Sequence, residues 1–132
     1  MLRKVDDRPH SATRILIVED DGDTAESMAR LLTIHGYEVA IARDGHHAIA
    51  MALRQVPDFV LLDLGLPGMD GYQIALSLKQ EVECKKSVFI AVSGYAQSED
   101  RQRSRAAGID HHLVKPVDHH ILLGLLARGG VR

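Results

Sequence analysis

Glu19-Asp20-Asp21, Asp63, Ser93 and Lys115 each follow directly on a short apolar run. Together these residue types suit one kind of chemistry. Carboxylates brought within a few ångströms of one another repel, and one must keep a proton unless a cation lies between them. A hard divalent ion answers that need: Mg²⁺ takes oxygen ligands, keeps several waters and sits on one or two carboxylates beside a phosphate. A lysine ammonium suits a phosphate oxygen, and a serine hydroxyl adds a donor. Asp63 is then the natural acceptor, because a carboxylate can form an acyl phosphate. Taken singly, each residue has a plainer reading. Asp63 alone is a turn or cap residue, Glu19 to Asp21 a helix start favoured by the dipole, and Ser93 before Gly94 ordinary turn chemistry. The weight lies in four separate apolar runs ending in chemically matched groups.

Those runs must be strands for their ends to meet. "RILIV" (14–18), "YEVAI" (37–41), "FVLL" (59–62), "VFIAV" (88–92) and "HLV" (112–114) are the candidates. Three are nearly continuous apolar runs, as expected of parallel strands covered on both faces. Amphipathic stretches alternate with them: Asp23 to His35, Asp44 to Val56, Tyr72 to Glu83, Ser98 to Ala107 and Asp118 to Arg128. "DTAE" at the start of the first resembles a capping box, Gly36 supplies its stop, and Pro57 breaks the second. Strict alternation of strand and helix predicts an α/β fold with one parallel sheet and helices on both faces. The strand ends then share one edge, where open α/β proteins bind their ligands.

Composition narrows the field. A chain of 132 residues, 45% apolar and 26% charged, fits one globular domain. A net charge of −2 argues against direct nucleic-acid binding. No apolar run approaches the roughly 20 residues of a membrane span, and the first residues carry no signal-peptide pattern. Cys84 is the only cysteine, which excludes an internal disulfide and suits the cytoplasm. The histidine pairs 46–47, 111–112 and 119–120 are adjacent, so their rings point apart, and a histidine metal site is not expected.

In combination, "ILIVEDD", "PDFVLLDLGLPGMDG", "VSGYAQSEDRQRSRAAGID" and "HLVKPVD" resemble a response-regulator receiver domain of two-component signalling. The resemblance spans 14–128, leaving 1–13 as an N-terminal arm or linker and 129–132 as a tail. It implies a flavodoxin-like (βα)5 doubly wound parallel sheet in strand order 2-1-3-4-5. It also implies Asp63 as phosphoryl acceptor and a Mg²⁺ site made by Glu19, Asp20, Asp63 and the Gly65 carbonyl. Asp21 lies one place beyond the acidic pair and is not expected to be a ligand. Ser93 matches the hydroxyl that moves to the phosphoryl group, Lys115 its cationic partner, and Lys115-Pro116 a cis bond. Pro67 and Gly71 match the loop after the acceptor; Gly65 and Tyr95 hold positions that tune phosphoryl lifetime. Where the family often has Tyr or Phe as an inward-turning switch, this chain has His112. A histidine can make the same turn and can hydrogen-bond, and its ordinary pKa of about 6.5 opens it to pH.

The resemblance further implies a phosphorelay switch rather than an enzyme. It takes a phosphoryl group from a sensor histidine kinase or histidine phosphotransfer protein and alters the face around the fourth helix, fifth strand and fifth helix. "ILLGLLA" (121–127), apolar nearly all round, leaves room on that face for a homodimer contact. No output domain follows, so the chain is expected to be either a stand-alone receiver or one cut from a longer chain such as a hybrid kinase. Rival chemistries fit less well. An aspartyl phosphatase would carry a second acid two places after Asp63, where Gly65 stands. A dinucleotide site would need a Gly-x-Gly-x-x-Gly turn where "VEDDGD" is acidic.

Overall fold

Strands that present apolar side chains on both faces need cover on both, and the chain supplies it. A computed structural model describes residues 13–66, 70–94 and 98–130. The elements run β1 (Arg14–Val18), α1 (Gly22–Ile34), β2 (Glu38–Ala42), α2 (Gly45–Arg54), β3 (Phe59–Asp63), α3 (Gly71–Lys79), β4 (Val88–Ser93), α4 (Ser98–Ala106), β5 (His111–Val114) and α5 (His119–Ala127). The strands form one parallel sheet in the order β2-β1-β3-β4-β5, the doubly wound architecture expected. Side chains alternate between faces at period two. Leu16, Val18, Val60, Leu62 and Phe89 pack with Ala48 and Ala52 of α2 and with Ile74 and Leu78 of α3. Ile15, Ile17, Leu61, Ile90 and Val92 pack on the other side with Leu32 of α1 and with Leu122, Leu125 and Leu126 of α5.

Element boundaries shift by small amounts, each with a local cause. β2 slides by one residue, because Thr13 accepts the Glu38 amide and pairs the strand from Glu38 onward. α1 is capped by Asp21, whose side chain accepts the Thr24 amide, so the expected Asp23 cap falls inside the first turn. Asp20, Asp21 and Asp23 are equally good caps by type, and only the turn geometry chooses among them. α2 stops at Arg54 rather than Val56, since the residue before Pro57 is pushed towards extended backbone. α3 stops at Lys79; a separate 3-10 turn, Val82–Cys84, follows and lets Cys84 enter the core at 1% exposure. Gly36 and Gly108, both at positive φ, end α1 and α4. Residues 1–12 of the expected arm, Pro67, Tyr95 and residues 131–132 of the tail lie outside the described residues.

Candidate functional site

Register brings the inner acids together. β1 and β3 pair with Val18 opposite Leu62, so Glu19 and Asp63 come level at the C-terminal edge of the sheet. Both keep the parity of Ile17 and Leu61, which sets them on the side covered by α1 and α5. They are buried, Glu19 at 7% exposure and Asp63 at 6%, while Asp20 is exposed. Glu19, Asp20 and Asp63 each offer a carboxylate oxygen, all within 4.8 Å of one another. Burial pushes the Glu19 carboxyl above its ordinary range; the Asp21 amide opposes this, and the Asp63 charge adds to it. Three carboxylate oxygens this close favour a cation among them, and an all-oxygen donor set suits Mg²⁺.

Lys115 answers part of the negative charge. Its Nζ lies 3.2 Å from Asp63 Oδ2, and its own amide donates to the Ser93 carbonyl at 2.7 Å. The bond to Pro116 is cis, as the resemblance implied. The Gly65 amide donates to Asp63 Oδ1 at 2.8 Å, so this glycine touches the Asp63 carboxylate through its backbone. Gly71, starting α3, sits so close to Leu64 that an added Cβ would lie 3.0 Å from the Leu64 Cα, and glycine is what fits there. Ser93 stands one residue past Val92, the register partner of Asp63.

The side chain of Ser93 is engaged with His112, Oγ to Nε2 at 2.8 Å, and His112 Nδ1 reaches Ser104 Oγ of α4 at 3.3 Å. The His112 ring is therefore turned towards Ser93 and hydrogen-bonded on both nitrogens. Ser104 went unforeseen; a single buried serine in a highly polar helix carries no signal before the sheet is assembled. Nor was Arg43 foreseen, although it follows β2 as the other site residues follow their strands. Its Nη2 and Nε donate to the Asp20 carbonyl at 2.6 and 3.1 Å. Arg103 of α4 pairs with Asp70, the cap of α3, at 2.7 Å and lies over the Tyr72 ring. A cleft of about 630 Å³ opens beside Asp63 and Lys115, with Ala25, Met28, Leu61, Val92 and Val117 among its walls.

Comparison with known proteins agrees with this geometry. The family model described as "Response regulator receiver domain" matches residues 15–127. Response regulator PleD of Caulobacter vibrioides is 34% identical over 84% of this chain and 24% of its own length. Protein PilH of Pseudomonas aeruginosa is 34% identical over 83% of this chain and 91% of its own. The chain thus spans about a quarter of PleD and nearly all of PilH. Among solved structures, chemotaxis protein CheY4 of Vibrio cholerae superposes with a TM-score of 0.85 at 27% identity, covering 89% of this chain and 98% of that one.

Proposed function

The chain belongs to the response regulator receiver domain family, and from that premise we propose that it is a phosphorylation-dependent switch in a two-component phosphorelay. Asp63 is the acceptor. The observation that carries this is its carboxylate, buried, 3.2 Å from the Lys115 ammonium and within 4.8 Å of the Glu19 and Asp20 oxygens. A nucleophile in that setting has one cation beside it and acids able to hold a second, and positive charge on the transferred group is what such a transfer asks of a protein.

In this reading an Asp63 oxygen attacks the phosphorus of a phosphohistidine on a sensor histidine kinase or phosphotransfer protein. The P–N bond breaks, and the imidazole nitrogen leaves with the electron pair. Lys115 stays on the oxygens of the transferred group. Glu19, Asp20, Asp63 and the Gly65 carbonyl are the groups to hold Mg²⁺, which when bound supplies charge neutralisation for the phosphoryl oxygens. Water later attacks phosphorus, releasing inorganic phosphate and restoring the carboxylate. Receiver domains are signalling switches rather than enzymes acting on a separate substrate. Ser93 leaves His112 to donate to the phosphoryl group, and α4, β5 and α5 repack into an altered protein-binding face, homodimer contact included. The switch works in the cytoplasm; no described helix is long and apolar enough to cross a membrane. The receiver unit is taken as 14–128, between an arm and a short tail.

Intact mass after incubation with acetyl phosphate and Mg²⁺ tests the proposal. The expected result is a gain of one phosphoryl group, about 80 Da, dependent on Mg²⁺ and absent from Asp63→Ala. No gain in the wild type under conditions where Mg²⁺ binds, with either acetyl phosphate or a phosphorylated histidine donor, would refute it.

A further inference from the structure

Arg43 lies outside the acidic cluster yet grips it. β2 ends beside β1, and three hydrogen bonds tie the ends together: the Glu19 amide donates to the Ala42 carbonyl at 3.0 Å, and both donors of the Arg43 fork close on the Asp20 carbonyl. The guanidinium also lies over the first residue of α1. A Cβ added at Gly22 would come 3.3 Å from its Nη2 and 3.5 Å from its Nη1, so glycine leaves the space it occupies. Asp20 is the exposed member of the acid triad, and burial does not fix its side chain as it fixes those of Glu19 and Asp63. Its backbone is fixed instead, by a planar two-donor group from the neighbouring loop.

We propose that Arg43 is a positioning residue for the metal-binding acids: by holding the Asp20 carbonyl it sets where the Asp20 carboxylate stands. This rests on the phosphoryl-acceptor reading above. Two other roles for Arg43 make different predictions. If it acted through charge alone, it would repel a cation, and removing it would tighten Mg²⁺ binding. If it merely braced the loop, its loss would lower the stability of the metal-free chain. Positioning predicts weaker metal binding with stability unchanged. Groups that orient a metal ligand from behind typically change affinity by about 10- to 100-fold when removed.

The test is a Mg²⁺ titration of the ¹⁵N-labelled chain, following the amides of Glu19, Asp20, Asp21 and Gly65, beside the melting temperature without metal. Arg43→Ala and Arg43→Gln are expected to weaken Mg²⁺ binding about tenfold, although each removes a positive charge, with the metal-free melting temperature held. Arg43→Lys keeps one donor and the charge and is expected to recover part of the affinity; Gly22→Ala, which crowds the guanidinium, weakens it less than Arg43→Ala. Unchanged or tighter binding in Arg43→Ala overturns the proposal and leaves the acceptor reading standing. So does a fall in metal-free melting temperature that Arg43→Lys fails to correct. A wild-type chain that does not respond to Mg²⁺ at all defeats the metal reading first, and this proposal with it.

Discussion

His112 stands where the resemblance implied an aromatic ring, and its contacts carry a prediction. With Nε2 on Ser93 and Nδ1 on Ser104, the imidazole links the hydroxyl beside the acceptor to a buried serine of α4. A phenylalanine can fill the space but can hold neither serine. His112→Phe is therefore expected to take up phosphoryl groups from acetyl phosphate at the wild-type rate, while the amides around Ser104 no longer shift on phosphorylation. Heteronuclear spectra with and without acetyl phosphate check this. Cys84 makes a second residue-scale prediction. Burial, followed by the charges of Glu81 and Glu83, pushes its thiol above the ordinary range, and it is 1% exposed. Thiolate is the reactive form. Iodoacetamide should leave Cys84 unmodified in the native protein and label it quickly in urea, as followed by mass.

The helices show how far local chemistry carries and where packing takes over. Asp21, Asp44, Asp70 and Asp118 all cap helices by accepting amides of the first turn. The His47 amide, then the His47 ring, hold the Asp44 carboxyl below its ordinary range. A folded value below the unfolded one gives stability that is present above about pH 4 and is lost as pH falls through the folded value. Asp44→Asn keeps the cap but cannot titrate, so its stability should fall less steeply with acid than the wild type's. Urea midpoints between neutral pH and pH 3 measure the difference. α5 shows the opposite balance. Leu122 is fully buried against the sheet while Ile121 is 56% exposed, so a helix apolar nearly all round has one working face and one open one. Leu122→Ala is expected to destabilise by about 2–5 kcal/mol and Ile121→Ala by far less, on the same urea scale.

For the whole molecule, the metal site proposed for Glu19, Asp20 and Asp63 predicts that Mg²⁺ couples to folding. A cation that binds only the native chain stabilises it by mass action, about 1.4 kcal/mol at ten times the dissociation constant. The melting temperature should rise by roughly 5 °C, and Asp20→Asn should lose most of that gain. Much of this molecule was legible beforehand. Nearly continuous apolar runs alternating with capped helices point to a parallel sheet, because that arrangement buries both strand faces, and the parallel sheet determines that Glu19, Asp63, Ser93 and Lys115 share one edge. Types at strand ends were enough to name the acids and the lysine. Contacts between neighbouring loops were not, since they depend on register and on which strands lie side by side. Arg43 meets Asp20 because β2 flanks β1, and Ser104 meets His112 where the chain returns from α4 into β5; neither pairing has any fixed spacing along the chain. The sequence by itself determined the sheet, its active edge and the groups that stand there. Only the tertiary structure decided which residues hold those groups in place, because spacing along one strand sets its own side chains and says nothing of the loop next door.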